Sequence, residues 1–485
     1  MLKPPAHFLA IALLVARAGA AQAEEGPVAG GTGRAPAAAT DPAHPLLRQD
    51  LGEPSLLVPI LEVPAINLLF WSAAKVAGAD YAQISFESMK NHLLHGPWKW
   101  DEDIYFLNEF GHPYQGSLAF TAARSSGIGF WGAIPFAFAS SAMWELFMET
   151  DAPSKNDIIT TPIGGVMLGE VLHRLSLLVL DDGPPGFLRS FVSWAIEPVG
   201  GLNRHWFGRK RGDFFTRPPY YARFSLGVNA NVNNYQDVAG VHQDSNFGPQ
   251  LHLGAEIIYG MPGNDDWKYD RPFDHFVFYS ELGVSREFYG ALFVRGLLAG
   301  GDYAVGRFHG LWGLFGGYDF ASPSTLRVAT VNLGLGTTVR VKFSDDLCLL
   351  PTFILSGVPF GAGGGIETPV VQRDYHYGFG LQELIELQLI RRDMGRVVLT
   401  QRAYGISGQF VGEGFENVVY LSLAAELRLF AHNAIGVEGF IADRMASFGG
   451  PNPDVHQRAT QFRVYWTVLA GDGFDSILGS PGARQ

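Results

Sequence analysis

The sequence has one cysteine, Cys348, and charged side chains make up only 17% of its 485 residues. A single thiol excludes an intrachain disulfide. Cys348 lies in a strand-like apolar run and reads as a packing residue. There is no basic excess: the formal net charge is −12, which argues against a nucleic-acid partner. No Gly-x-Ser-x-Gly, Walker-type or Cys-x-x-Cys motif is present. The shortage of charge is not a sign of disorder, because 47% of the residues are hydrophobic and supply ample surface to bury. Sixty glycines beside 13% aromatics suit membrane strands, where aromatics form interfacial girdles and glycine fills crowded positions.

The length exceeds that of one ordinary domain, so at least two are expected. Residues 1–23 read as a signal peptide: Lys3, then the short apolar stretch Phe8 to Ala16, then Ala21-Gln22-Ala23 as an A-x-A cleavage site. The apolar run is too short for a membrane anchor. Residues 24–53, rich in Ala, Gly and Pro, read as a flexible linker. Residues 54–216 carry a helical or irregular pattern and 217–474 a strand pattern, with the change near Arg209 to Pro219. Residues 475–485 form a polar tail. The fold class is α+β by domain: a helical domain followed by an antiparallel transmembrane β-barrel of about 12 strands.

The strand signal is period-2 alternation. From Val331 to Phe343, odd positions are Val, Leu, Leu, Thr, Val, Val and Phe, while even positions are Asn, Gly, Gly, Thr, Arg and Lys. Leu335 therefore belongs to the apolar face and Gly336 to the polar one. Phe224 to Val232, Val419 to Leu429 and Phe462 to Val468 repeat the pattern. Twelve strands are expected, at roughly 220–232, 249–260, 274–285, 289–300, 305–319, 326–343, 346–356, 375–392, 396–410, 417–431, 433–446 and 457–470. Each approaches or exceeds the ~9–11 residues that cross a hydrocarbon core. Short links (Ser344-Asp345-Asp346, Ala431-His432-Asn433) alternate with longer ones (357–374, 447–456), as periplasmic turns and external loops do. Outer-membrane location follows as an expectation, with outer-membrane lipid and the barrel-assembly machinery as partners.

The helical region is denser in polar landmarks. Ser125 to Trp144 runs without a charge, and Pro135 suggests a buried or interfacial helix starting there. Glu145 and Glu149 are spaced i, i+4, and Glu170 and His173 i, i+3, each pair on one helix face. Ser154, Asn156 or Asp157 caps the next helix. Two readings stay open. One is a buried structural network of Asn108, Arg124, Asn156, Asp157 and Glu170, since buried carboxylates need partners. The other is a working site: Glu145, Glu149, Glu170 and His173 as metal ligands, or His112, Glu145, Glu149 and Asp157 in acid–base catalysis. No organic cofactor is indicated, and whether the protein is an enzyme stays open. His92 and His95 read as solvated helix histidines. The run His242-Gln243-Asp244-Ser245-Asn246 has the wrong spacing for a Ser–His pair on one strand face.

Asn108, His112-Pro113-Tyr114, Arg124, Trp144-Glu145, Glu149, Pro153-Ser154, Asn156-Asp157, Gly164-Gly165 and Gly169-Glu170 together resemble a bacterial family known as domain of unknown function 3943, over about residues 95–180. The resemblance implies an envelope protein with a strand-rich C-terminal part and carries no assigned reaction. The expected function is an outer-membrane barrel with a helical domain that plugs the lumen, lies on the periplasmic side or recruits a partner, in a structural, transport or docking role. The alternative is an envelope lipid-modifying or metal-dependent enzyme.

Overall fold

The computed structural model describes residues 54–478 apart from 102, 182–185, 208–217, 245–247, 264–266, 285–287, 323–326, 365–374, 393, 409–413, 448–453 and 472. The expected signal peptide, linker and most of the expected domain boundary lie outside the described residues.

All twelve expected strands form. They are β1 (Tyr220–Val238), β3 (Gln250–Tyr259), β4 (Phe276–Val284), β5 (Phe288–Val305), β6 (Phe308–Ala321), β7 (Arg327–Lys342), β8 (Leu347–Gly364), β9 (Tyr375–Arg391), β10 (Gly395–Ser407), β11 (Phe415–Phe430), β12 (Asn433–Ser447) and β13 (Val455–Ala470). Each pairs antiparallel with its neighbour, and β13 pairs with β1, so the sheet closes into a barrel. Closure leaves no unpaired edge. A short strand that the alternation did not show, β2 (Val241–Asp244), folds back on the end of β1. Two boundaries also shift. β5 and β6 meet at a tight turn with Gly306 at φ 58°, and β8 runs eight residues further than expected, to Gly364, through a bulge between Val358 and Gly361.

The alternating faces separate lumen from exterior. Arg223, Glu256, Glu281, Arg396, Arg402 and Arg463 line an internal cavity. The neighbouring positions point out and stay exposed as large apolar side chains, among them Leu335, Leu381 and Leu423. One end of the barrel carries the tight links at 306–307 and 431–432 and will be called the turn end. The opposite end, where β8 meets β9, is the loop end.

The helical region comprises α1 (Leu57–Val76), α2 (Phe86–Leu94), α3 (His112–Ser125), α4 (Phe130–Phe147), α5 (Asp157–Asp181), α6 (Phe187–Ile196) and α7 (Pro198–Trp206). It does not plug the lumen: every residue lining the cavity comes from a strand. The helices lie instead against the outer wall. Asp319 bonds across the lumen to Gln382 and Tyr404, so its neighbours Tyr318 and Phe320 point outward. Tyr318 donates to the Glu109 carbonyl, and Phe320 stacks on Tyr105 and Phe110. At the loop end, Trp100 packs on outward Phe360 and Tyr377. At the turn end, Arg174 pairs with Asp274 at 3.0 Å. With 25 residues, α5 is about 37 Å long, enough to run the height of the wall.

Glycine makes this packing possible. A Cβ on Gly116 of α3 would lie 2.0 Å from the Thr161 carbonyl oxygen, and one on Gly165 of α5 would lie 2.6 Å from the Gly116 backbone. The two helices therefore touch backbone to backbone, as small residues allow between membrane helices.

Ion pairs cross the lumen instead. Arg396 on β10 reaches Glu256 on β3 at 2.6 Å, and Arg463 on β13 pairs with Glu281 on β4. Arg223 bridges Glu256 and Glu426. A C-terminal helix, α8 (Phe474–Leu478), packs Phe474, Ile477 and Leu478 against Tyr221, Ile258, Leu350, Cys348 and Ile390. These partners lie on the lumen face at the turn end. The stretch expected to open a polar tail is thus a cap, held by its three apolar residues, and Cys348 is one of the packing residues beneath it. The cavity lined by Arg223, Glu256, Glu281, Arg396 and Arg463 is about 160 Å³.

Candidate functional site

The polar landmarks of the helical region form two separate groups at opposite ends of α5. In the group toward the turn end every carboxylate is ion-paired. Glu170 accepts from Arg124 Nε at 2.6 Å and Nη2 at 3.1 Å, and from Arg174 Nε at 2.8 Å. Arg124 also donates to the Ile128 carbonyl and Arg174 to the Pro272 carbonyl. His173 Nδ1 lies 2.6 Å from Glu197 Oε1, and Glu197 Oε2 accepts from Arg204 at 3.0 Å. This group ties α3, α5, α6 and α7 to one another and to the barrel.

The second group sits at the loop end, about 20 Å away along α5 at the usual rise. A π-helical turn, Leu107–Gly111, runs into α3 and sets His112 at that helix's start. Such widened turns are frequent at functional sites. Ser154 caps α5 by accepting from the Asp157 N–H at 3.2 Å. Asn156 Oδ1 accepts from the Asp101 N–H at 2.8 Å, which holds the 99–101 segment beside the start of α5.

Here each carboxylate is anchored through one oxygen. Asp157 Oδ1 accepts from Asn156 at 2.9 Å, and Glu145 Oε2 accepts from the Ser154 N–H at 2.6 Å. Glu149 Oε1 accepts from Trp144 Nε1. Asp157 Oδ2 lies 3.8 Å from His112 Nε2, too far for a hydrogen bond. Asp101, His112 and Asp157 each offer one ligand atom, all within 4.8 Å of one another. Among the described residues, no Arg or Lys is ion-paired with Glu145, Glu149 or Asp157. Burial pushes Glu149 up to about 7, the carboxylates of Asp157 and Asp101 adding to it and His112 and Trp144 opposing it.

The expected metal set therefore divides. Glu145 and Glu149 belong to the loop-end group, whereas Glu170 and His173 are held in ion pairs at the other end. The expected structural network divides as well: Arg124 and Glu170 lie at one end, Asn156 and Asp157 at the other. Asn108 takes a third role, donating to the Tyr375 hydroxyl of the barrel at 2.7 Å. Asp101 was not among the expected residues; it lies in the acidic run Trp100-Asp101-Glu102-Asp103, ahead of Asn108. His92, expected in solvent, is buried, while His95 is exposed. His242 bonds Asp237 at 2.6 Å on exposed β2, and Ser245 lies outside the described residues.

No curated protein matches the chain. Among solved structures, the KdgM porin is similar at 10% identity, with 50% of this chain and 98% of that one covered and a TM-score of 0.21. The toluene transporter TodX of Pseudomonas putida gives 9%, 52%, 90% and 0.23. The outer membrane protease OmpT from Escherichia coli gives 8%, 51%, 96% and 0.19. Residues 97–199, which hold the loop-end group and the turn-end group apart from Arg204 and Asp274, match the family model described as a domain of unknown function (DUF3943).

Proposed function

We propose that this is an outer-membrane protein whose sealed barrel anchors a bilayer-embedded helical domain, and that its working part is the loop-end cluster, which performs acid–base chemistry on an envelope molecule at the membrane surface. Three features support the location. The barrel presents an apolar exterior, four of the five links at one end are tight while the fifth, 260–275, is long, and α1 exposes Leu57, Ile60, Leu61, Leu68, Leu69 and Phe70 along a helix long enough to cross a membrane. Short turns belong to the periplasmic end, which puts the cluster at the outer end.

The observation that carries the functional reading is a contrast in charge compensation. Lumen carboxylates such as Glu256 and Glu281 and the carboxylates at the turn end are matched by arginines, as buried charges in a scaffold must be. Glu145, Glu149 and Asp157 are not. Uncompensated buried acids beside an imidazole are what proton transfer needs, and such groups are costly to keep for structure alone.

The test has two arms. Purified protein in liposomes should give no swelling in small sugars; sugar-dependent swelling would establish a diffusion channel and remove the sealed-scaffold reading. In cells lacking the protein, Asp157→Asn should assemble into the membrane yet fail to restore envelope resistance to bile salts. Full restoration by Asp157→Asn would show that the cluster is not the working part.

A further inference from the structure

The geometry points to a divalent transition-metal site formed by Asp101, His112 and Asp157 at the outer end of the helical bundle. The inference deepens the functional reading above and rests on the same cluster. The three ligand atoms lie within 4.8 Å of one another, a spread that a cation bonded at about 2.0–2.2 Å to each can draw together. The acids alone would carry little weight. His112 is the independent observation: its side chain is 9% exposed, no hydrogen bond engages its ring nitrogens among the described residues, and Nε2 faces Asp157 Oδ2 at 3.8 Å. The imidazole and the carboxylate thus face each other at ion-pair range without a hydrogen bond, and a cation between them would engage both at bonding distance.

The surroundings fit a metal ligand set. Asp157 is oriented through its other oxygen by Asn156, which also accepts from the Asp101 N–H. Asn156 thus holds two of the three ligands in place, the usual task of an outer-shell partner. Two carboxylates and one imidazole favour Zn²⁺, Mn²⁺ or Fe²⁺ over Ca²⁺ and Mg²⁺, which prefer oxygen alone. Three protein ligands leave a coordination position for water or substrate, the pattern of working rather than structural zinc sites.

The full chain, purified in detergent and stripped with EDTA, is titrated with Co²⁺ as a spectroscopic probe and with Zn²⁺ in competition. One equivalent is expected to bind, with Ca²⁺ and Mg²⁺ failing to displace it. Asp101→Asn, an isosteric change in a loop, should weaken binding by about tenfold or more. His112→Cys should bring a sulfur-to-cobalt charge-transfer band. No stoichiometric binding by the wild type, undiminished binding by Asp101→Asn, or bound cobalt without that band in His112→Cys overturns the site. Metal binding in a protein whose Asp157→Asn variant restores envelope resistance would retain the site and refute its working role. Absence of metal with loss of resistance would do the reverse.

Discussion

Replacing Glu170 by alanine should loosen the helical domain and leave the barrel standing. Glu170 is fully buried, and so are the two guanidinium groups that it holds, with Arg124 and Arg174 exposed by 5% and 4%. Three N–H groups converge on its two oxygens. In the variant Arg124 keeps one bond to the Ile128 carbonyl and Arg174 keeps Asp274 and Pro272. Arg124 loses its ion pair with Glu170. Breaking a buried pair from one side costs about 3–5 kcal/mol, because the remaining charge is stranded. A whole domain has only about 5–15 kcal/mol. The expected result of limited proteolysis on the detergent-purified variant is rapid cutting within residues 95–180. The closed barrel strands should stay resistant and keep their heat-modifiable migration on gels. Wild-type protection of residues 95–180 would refute the assignment of this group as the bundle's structural tie.

The loop-end group should respond in the opposite sense. Glu149 titrates near 7 in the folded protein, above its unfolded value, so ionising it costs stability as pH rises from about 4.5 through 7. In EDTA, Glu149→Gln should be more resistant than wild type at pH 8 by at most about 3 kcal/mol and equal to it at pH 4; equal stability at both pH values would contradict the burial. Leu335→Arg puts a charge on the exposed outer face at a cost of about 2–4 kcal/mol if placed near mid-membrane, and should lower the assembled yield, whereas Ser422→Lys, on the lumen face, should assemble; the reverse order would exchange the faces. Ile477→Asp buries a charge in the C-terminal cap and should lower the temperature at which the barrel unfolds on gels, an effect that would be missing if α8 did not seal the turn end.

The barrel was legible because its physics is local. Alternation along each strand reports which face meets lipid, and turn residues mark the ends, so twelve strands could be placed before any contact was known. What the alternation could not show is what happens at single positions. Gly336 reads as a permissive site on the polar face, yet a Cβ there would meet the Phe353 carbonyl oxygen at 2.5 Å; glycine stands there to let two strands approach, not because the site is empty. β2 is only four residues long and exposed throughout, so it has no buried face to produce a pattern. The short helix α8 hides in a stretch that is polar on average, because three apolar residues suffice to fill one mouth of the barrel.

The helical domain was harder to read for a related reason. Its sequence is apolar on most faces, and a helix that packs against a barrel wall on one side and stays apolar on the other has no polar face to give its orientation away. Plugging the lumen was therefore a reasonable expectation that composition alone could not exclude. The wall contacts decide against it: Tyr105 packs on outward-facing Phe320 and Trp100 on outward-facing Phe360 and Tyr377, Tyr318 bonds the Glu109 carbonyl, and arginine–carboxylate pairs cross the lumen. Helix spacing placed Glu145 near Glu149 and Glu170 near His173 on common faces, which is correct locally and misleading globally. A 25-residue helix carries its first and last turns to opposite ends of the domain, so residues that share one motif end in two environments. Arginines reach one end and neutralise it. At the other end Asp101 arrives from a segment held by Asn156, and the charge there stays uncompensated. The two groups thus differ less in their acids, which the motif displays together, than in where the arginines are.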